Sequence, residues 1–228
     1  MILVKPSYEV LTVIDGKGIL ERIESAGRTC YKSEEKISIN TAEKFVAGIL
    51  KRGHESVIEH ENISVRIICD RGVTHEIVRH RLCAYSQEST RYCNYKGGVT
   101  FVIPPWVNLP EGEISDGTIE TRTELLKAIS WKDESTEGLW LKAMDWAECT
   151  YIKLLENNWS PQQARSVLPN SLKTEIVMTA NIREWRHILR LRTSQAAHPQ
   201  MRETMVPILT EFQAKIPILF NDIENKEK

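Results

Sequence analysis

Apolar residues recur along this chain in two rhythms, and the changes of rhythm predict its elements. The opening residues to Ile14 form a strand-like run, and Asp15-Gly16 reads as a turn. Ile19, Leu20, Ile23 and Ala26 then fall at helical spacing. Asn40-Thr41-Ala42-Glu43 has the form of a capping box, with Asn40 as N-cap and Glu43 at N3. In the helix that follows, Phe45, Ile49 and Leu50 are expected to face inward, and Gly53 to close it in the left-handed region. β-branched residues in partial alternation make Ile58 to Cys69 a strand. A helix is expected from about Val73 to Leu82, and an extended stretch from Tyr92 to Ile103, broken by Gly97-Gly98.

The later part is mostly helical in pattern. Pro104-Pro105 opens a long polar connection to about Glu137, and Leu139 to Leu155 is amphipathic and rich in tryptophan and leucine. Ser160-Pro161-Gln162-Gln163 marks a second helix start, Ser160 capping, Pro161 at N1 and Gln163 closing the box. Helical periodicity returns from about Ile182 to Leu191 and from Met201 to Phe220, and residues 221–228 are expected to fray. There is no internal repeat and no low-complexity segment.

Composition narrows the class. With 41% hydrophobic and 27% charged residues, the 228-residue chain can bury an ordinary core. Thirty basic against 31 acidic residues leave a net charge of −1, unlike the basic excess of a chain that coats nucleic acid. Any anion site must therefore come from locally clustered arginines. Met1-Ile2-Leu3-Val4-Lys5-Pro6 is too short an apolar run for a signal peptide, and no apolar stretch reaches the ~20 residues of a membrane span. Five cysteines without a CxxC spacing read as reduced thiols in a cytoplasmic protein.

Candidate chemistry concentrates in Arg79-His80-Arg81-Leu82-Cys83-Ala84-Tyr85-Ser86-Gln87-Glu88-Ser89-Thr90-Arg91. On a helix Arg79 and Arg81 stand roughly 200° apart, so one small ligand cannot take both from one face. Ser89-Thr90-Arg91 joins two hydroxyls to a guanidinium, a plausible phosphate clamp. On composition and periodicity alone, a solvated, charged surface turn is the favoured account of the stretch.

The motifs overturn that account. Arg79, His80, Arg81 and Ser89 resemble the RHRx7S signature of the flavin-dependent thymidylate synthases, the ThyX family. Gly53-His54-Glu55-Ser56 with Glu59-His60 is similar to that family's GHE[ST]...EH segment, and Ala164-Arg165-Ser166-Val167-Leu168-Pro169 to its ARxxLP segment. Asn181-Ile182-Arg183-Glu184-Trp185-Arg186-His187 with Leu191-Arg192 resembles its NxRxxxx(N/H)...(L/M)R segment, and His198 its closing histidine. The chain departs from the pattern at Ser86, where Asn is frequent, at His187, where some members have Asn, and at Glu76, where others carry Gln.

The resemblance implies an α+β fold, a twisted and largely antiparallel sheet flanked by helices, with a helical C-terminal half, all in a single domain of residues 1–228. It implies a flavoprotein methyltransferase of nucleotide biosynthesis that moves a one-carbon unit from methylenetetrahydrofolate to dUMP, giving dTMP. FAD is the implied cofactor and NADPH the reductant, in a homotetramer with sites shared between subunits. Ser56, Arg79, His80, Arg81, Gln87, Asn181, Arg183 and His187 are the implied FAD contacts. Glu76, Arg79, Gln87, Glu88, Ser89, Thr90, Arg91, Arg165 and Arg192 are the implied dUMP site, with Ser89, Arg91 and Arg165 on the phosphate. Arg192 is the implied catalytic residue, a fixed cation facing the uracil ring as its C5 becomes nucleophilic. His54 is implied to orient flavin or folate.

Other readings carry less. A cysteine-dependent thymidylate synthase places its nucleophile after a proline, and no Pro-Cys occurs. His75 and His80 are five apart, about 140° round a helix, so they are not the pair of an HExxH zinc site and no metal is expected. Asp15-Gly16-Lys17-Gly18 has Glu21 where a dinucleotide fingerprint needs its third glycine, and no P-loop is present. A nucleic-acid-binding module would use Arg183, Arg186 and Arg190 at helical spacing, although a solvated face opposite Ile182, Trp185 and Leu189 explains Arg186 and Arg190 better. No nucleic-acid or membrane partner is expected. Trp140, Met144 and Trp146 read as core or subunit packing.

Overall fold

The computed structural model describes residues 1–113 and 135–224. Most of the expected polar connection, residues 114–134, and the last four residues of the expected frayed tail lie outside the described residues. In chain order the elements are β1 (Ile2–Val4), β2 (Ser7–Val10), α1 (Gly16–Tyr31), α2 (Ala42–Lys51), β3 (Asn62–Asp70), α3 (Arg71–Ile77), β4 (Ala84–Gln87), β5 (Thr100–Val102), β6 (Gly112–Glu113), α4 (Thr136–Glu156), α5 (Pro161–Ala164), β7 (Lys173–Asn181), α6 (Ile182–Arg192), α7 (Pro199–Lys215) and α8 (Pro217–Phe220). Short 3-10 turns cover Glu34–Lys36, Glu55–His60 and Arg165–Val167.

The fold is α+β, with an antiparallel sheet and helices, as expected. Strands β2, β3, β7 and β4 form a four-stranded sheet in that order. Ser64 accepts from the Leu11 backbone while Arg66 meets Glu9, which sets β3 against β2 in opposite directions. A second sheet has the order β5-β1-β6, where β1 runs parallel to β5 and antiparallel to β6.

The described residues form two compact units. Unit 1 comprises Met1–Ser7, Ile68–Glu76 and Gln87–Ile176, and unit 2 comprises Tyr8–Ile67, Ile77–Ser86 and Val177–Lys228. Unit 1 buries Leu3, Phe101, Ile103, Leu141, Met144 and Tyr151 in one cluster. Trp140 packs partly against it, whereas Trp146 is 71% exposed. Unit 2 centres on Trp185, whose indole N–H donates to the Ile63 carbonyl at 2.9 Å and whose ring meets Phe212 edge-on at 5.3 Å.

Several local expectations are corrected. Asp15-Gly16 starts α1 rather than a turn. At α2 the N-cap position belongs to Thr41, not Asn40, and no side chain caps it. The Thr41 hydroxyl is committed elsewhere, lying 2.9 Å from both the Glu24 carboxylate and the Ser38 carbonyl. Asn40 instead takes φ +72°, a turn conformation asparagine tolerates. Val46 is buried in α2 along with Ile49, while Phe45 and Leu50 are half-buried. Gly53 has φ +72°, as the helix-stop reading required. The strand expected from Ile58 begins only at Asn62, and the helix expected from Met201 to Phe220 breaks at Ile216 into α7 and α8. Strand β7 went unrecognised. It buries Thr174, Ile176, Met178 and Ala180 on one face, the period of two of a half-buried strand.

Candidate active site

Helix α3 ends at Ile77, earlier than the sequence suggests, so Arg79-His80-Arg81 lies in a turn. The cause is Tyr85, whose hydroxyl sits 2.7 Å from the Ile77 carbonyl and 2.8 Å from that of His80. Its single proton is shared between these two acceptors. The 200° argument therefore does not apply: His80 points inward and is 6% exposed, while Arg79 and Arg81 on either side are exposed. Among the described residues neither arginine pairs with a carboxylate. Burial raises the Tyr85 hydroxyl pKa, so it stays protonated as the clasp of this turn.

Within unit 2, Arg192 at the end of α6 donates its Nε–H to His80 Nε2 at 2.9 Å. Nδ1 therefore carries the proton of a neutral imidazole; it lies 3.7 Å from the Glu184 carboxylate. Burial pushes the His80 pKa down to about 4, with the Arg192 and His187 charges adding to the effect. The His80–Glu184 contact is accordingly no ion pair at neutral pH. His187 meets the His80 ring edge-on at 5.8 Å and is itself exposed.

The other unit 2 candidates divide. Asn181 caps α6, its Oδ1 accepting from the Glu184 N–H at 2.9 Å, which leaves both amide N–H donors available to a ligand. Arg183 donates to Glu59 at 2.5 Å and lies 3.7 Å from Glu55, so its guanidinium is already engaged. Ser56 is exposed, and His54 Nδ1 is 2.9 Å from the Tyr31 hydroxyl.

The expected solvated face of α6 is corrected at Arg186, which is 2% exposed. It donates to both carboxylate oxygens of Asp222, at 2.8 and 2.7 Å, and to the Leu219 carbonyl. Arg190 reaches the same carboxylate at 2.7 Å. With these three arginines paired to acids, α6 presents no open basic stripe for a phosphate backbone.

Unit 1 holds a second cluster. Gln87 Nε2 lies 3.0 Å from the Thr74 hydroxyl and 3.2 Å from that of Thr174. Glu88 accepts from Tyr95 at 2.6 Å and from Lys173 at 3.3 Å, and Lys173 also donates to Glu175 at 2.5 Å. Thr90 is buried, and its hydroxyl accepts from Arg165 Nη1 at 3.1 Å, which draws the ARxxLP segment onto the Ser89-Thr90-Arg91 segment. Ser89 Oγ accepts from the Arg91 N–H at 3.3 Å, and the Arg91 guanidinium lies over the Tyr92 ring at 5.4 Å. Glu76 is half-buried on α3. Tyr95, Lys173 and Glu175 were not singled out in the sequence, because only the pairing of β7 with the segment after β4 brings them to Glu88.

Among the described residues, the group with metal-ligand geometry is His80, Glu184 and His187, whose donor atoms lie within 4.8 Å of one another. The Arg192 guanidinium bonded to His80 opposes a divalent cation there. The cysteines are free thiols, and burial raises the Cys83 pKa, as expected of an unreactive thiol.

Fold and clusters together define the class: an α+β protein with two arginine-bearing clusters, and guanidinium groups of this kind are suited to anionic ligands. The comparisons make this specific. The Thy1 model, thymidylate synthase complementing protein, matches residues 12–218, and the chain belongs to this family. A flavin-dependent thymidylate synthase of Mycobacterium sp. (strain JLS) is 34% identical over 225 residues, covering 92% of this chain and 82% of its own. That of Mycobacterium tuberculosis (strain ATCC 25177 / H37Ra) is 33% identical over 231 residues, covering 97% and 86%. Two solved structures of a UMP/dUMP methylase, PolB from Streptomyces cacaoi, share the fold. The one bound with 5-Br UMP has a TM-score of 0.70 at 19% identity, covering 97% of this chain and 95% of its own. The one bound with 5-Br dUMP reaches 0.73 at 21%, covering both chains fully.

Members of this family are flavin-dependent. The donor set of unit 2 fits such a cofactor: Arg79 and Arg81 are exposed cations without an acidic partner among the described residues, suited to a diphosphate, and Ser56 adds a hydroxyl. No helix of the described residues is long and apolar enough to cross a membrane.

Proposed function

We propose that this chain is a flavin-dependent thymidylate synthase. It converts dUMP to dTMP with methylenetetrahydrofolate as carbon donor, FAD as cofactor and NADPH as reductant, in a cytoplasmic homotetramer with shared sites. The observation that supports this reading best is the Arg79-His80-Arg81 turn, where a buried neutral histidine fixes Arg192 and the flanking guanidinium groups are exposed, with no acidic partner among the described residues.

Bound FAD, once reduced by NADPH, would supply the reducing equivalent. The residues of the chain bind and polarise. Arg79, Arg81 and Ser56 hold the cofactor, and the Asn181 amide at the start of α6 and Arg183 and His187 on it add contacts. Ser89, Arg91 and Arg165 hold the nucleotide phosphate, and buried Thr90 anchors Arg165. Arg192 stabilises negative charge on the pyrimidine, and it holds its place because neutral His80 accepts its Nε–H. No covalent protein nucleophile is required. Ser89 takes a backbone N–H rather than facing a base, and a serine without a base is a weak nucleophile.

Purified, FAD-loaded protein should oxidise NADPH faster when dUMP is added, form dTMP, and sediment at about four times the 26.2 kDa of one chain. A colourless monomer that binds no flavin would end this reading. The PolB likeness favours a second substrate, UMP, so both nucleotides belong in the same assay.

A further inference from the structure

Unit 2 carries a groove of about 550 Å³ between the end of α1 and the face of α2 that none of the roles above uses, apart from His54 at its edge. Arg28, Lys36, Lys44 and Arg52 line it, and no acidic side chain does. Arg28 is paired with Glu24 at 2.8 Å. Lys36, Lys44 and Arg52 have no carboxylate partner among the described residues, whereas Arg22, Arg66, Arg183, Arg186 and Arg190 all do.

Placement of these cations suits an elongated ligand. Lys44, Gly48 and Arg52 succeed one another at four-residue steps, so they share one face of α2 over roughly 12 Å of helix rise. Gly48 supplies a bare floor between the two cations: a Cβ there would meet only the Arg52 guanidinium, at 3.5 Å. Two aromatic rings complete the wall. Phe45 lies under the Arg28 guanidinium at 4.6 Å, and Tyr31 is pinned by its hydroxyl to His54.

We propose that this groove binds a polyanion, an extended chain of phosphates or carboxylates that continues from a planar group resting near Tyr31 and Phe45. Cations spaced along a helix match charges spaced along a ligand, and the rings match its planar end. Naming the ligand rests on the function proposed above, which offers two sources of this chemistry. One is the carboxylate-bearing tail of the one-carbon donor, and the other is the phosphate-bearing reductant.

The test begins without turnover. With the nucleotide site filled by dUMP, titration of the FAD-loaded protein with tripolyphosphate should show one site, weakened at least tenfold in Lys44→Ala/Arg52→Ala and in Gly48→Glu. The second variant replaces a helical glycine and adds a negative charge to the floor, so it should keep its melting temperature. Equal binding by wild type and both variants would overturn the proposal. Turnover then identifies the source. A donor carrying several γ-linked glutamates should lose its lower KM relative to the monoglutamate, or NADPH should lose its lower KM relative to NADH, with the KM for nucleotide held. Loss of neither advantage would also overturn it. If the protein methylates no nucleotide but still binds tripolyphosphate through Lys44 and Arg52, the groove stands and the proposed reaction falls.

Discussion

At the scale of single residues, Arg192 and His80 act as a pair. Arg192→Ala should retain flavin but lose turnover by two orders of magnitude or more, read as dTMP formed per flavin; near-normal turnover would remove Arg192 from the chemistry. His80 predicts a pH dependence. In the unfolded chain it titrates near 6.5 and in the folded chain at about 4, so between those values only the unfolded chain holds the proton. The stability owed to neutral His80 is complete above about pH 6.5 and is lost as pH falls towards 4, by about 3 kcal/mol at most. Melting curves of wild type and His80→Asn should therefore converge as pH is lowered through this window. A constant gap between them would show that His80 is not neutral in the fold.

Single elements explain which expectations held. The stretches expected as helices from Leu139 and from Ile182 were legible because apolar residues repeat at helical spacing over several turns, a signal the surroundings cannot easily override. The turn after Ile77 was not legible. Val78-Arg79-His80-Arg81-Leu82 suits a helix locally, and what stops it is a tyrosine hydroxyl on the following strand that takes two carbonyls the helix would have used. Strand β7 was missed for a related reason: its inward positions include Met178 and Ala180, which favour helices when free of a sheet. Helix α6 offers its own test at Asn181, which both caps the helix and is a proposed flavin contact. Asn181→Ala should cost about 1 kcal/mol of stability, whereas Asn181→Asp should keep the cap. If Asp also weakens flavin binding, the amide nitrogen serves the cofactor; if flavin binding holds, Asn181 is a cap alone.

For the molecule as a whole, the end of the described chain is tethered rather than loose. Asp222 joins the buried Arg186 and the half-exposed Arg190, and Ile223 is buried. Asp222→Ala should lower stability by about 2 kcal/mol, because it leaves a buried guanidinium short of its partner. Arg186→Met/Asp222→Leu should recover part of that loss, measured by denaturant unfolding. An unchanged midpoint for Asp222→Ala would mean the pair contributes nothing.

What this sequence settled by itself was membership and inventory. Spaced motifs pointed to the family and to the arginines, because these require only residue identity and order. Which arginines are available was decided by the tertiary structure. Arg79, Arg81, Arg183 and Arg186 look alike in a one-dimensional string, yet two are exposed with no acid beside them among the described residues, one is held by Glu59 and one is buried on Asp222. A guanidinium's reach is set by the carboxylate beside it, and that neighbour arrives from elsewhere in the chain: Glu59 lies 124 positions from Arg183, and Asp222 lies 36 from Arg186.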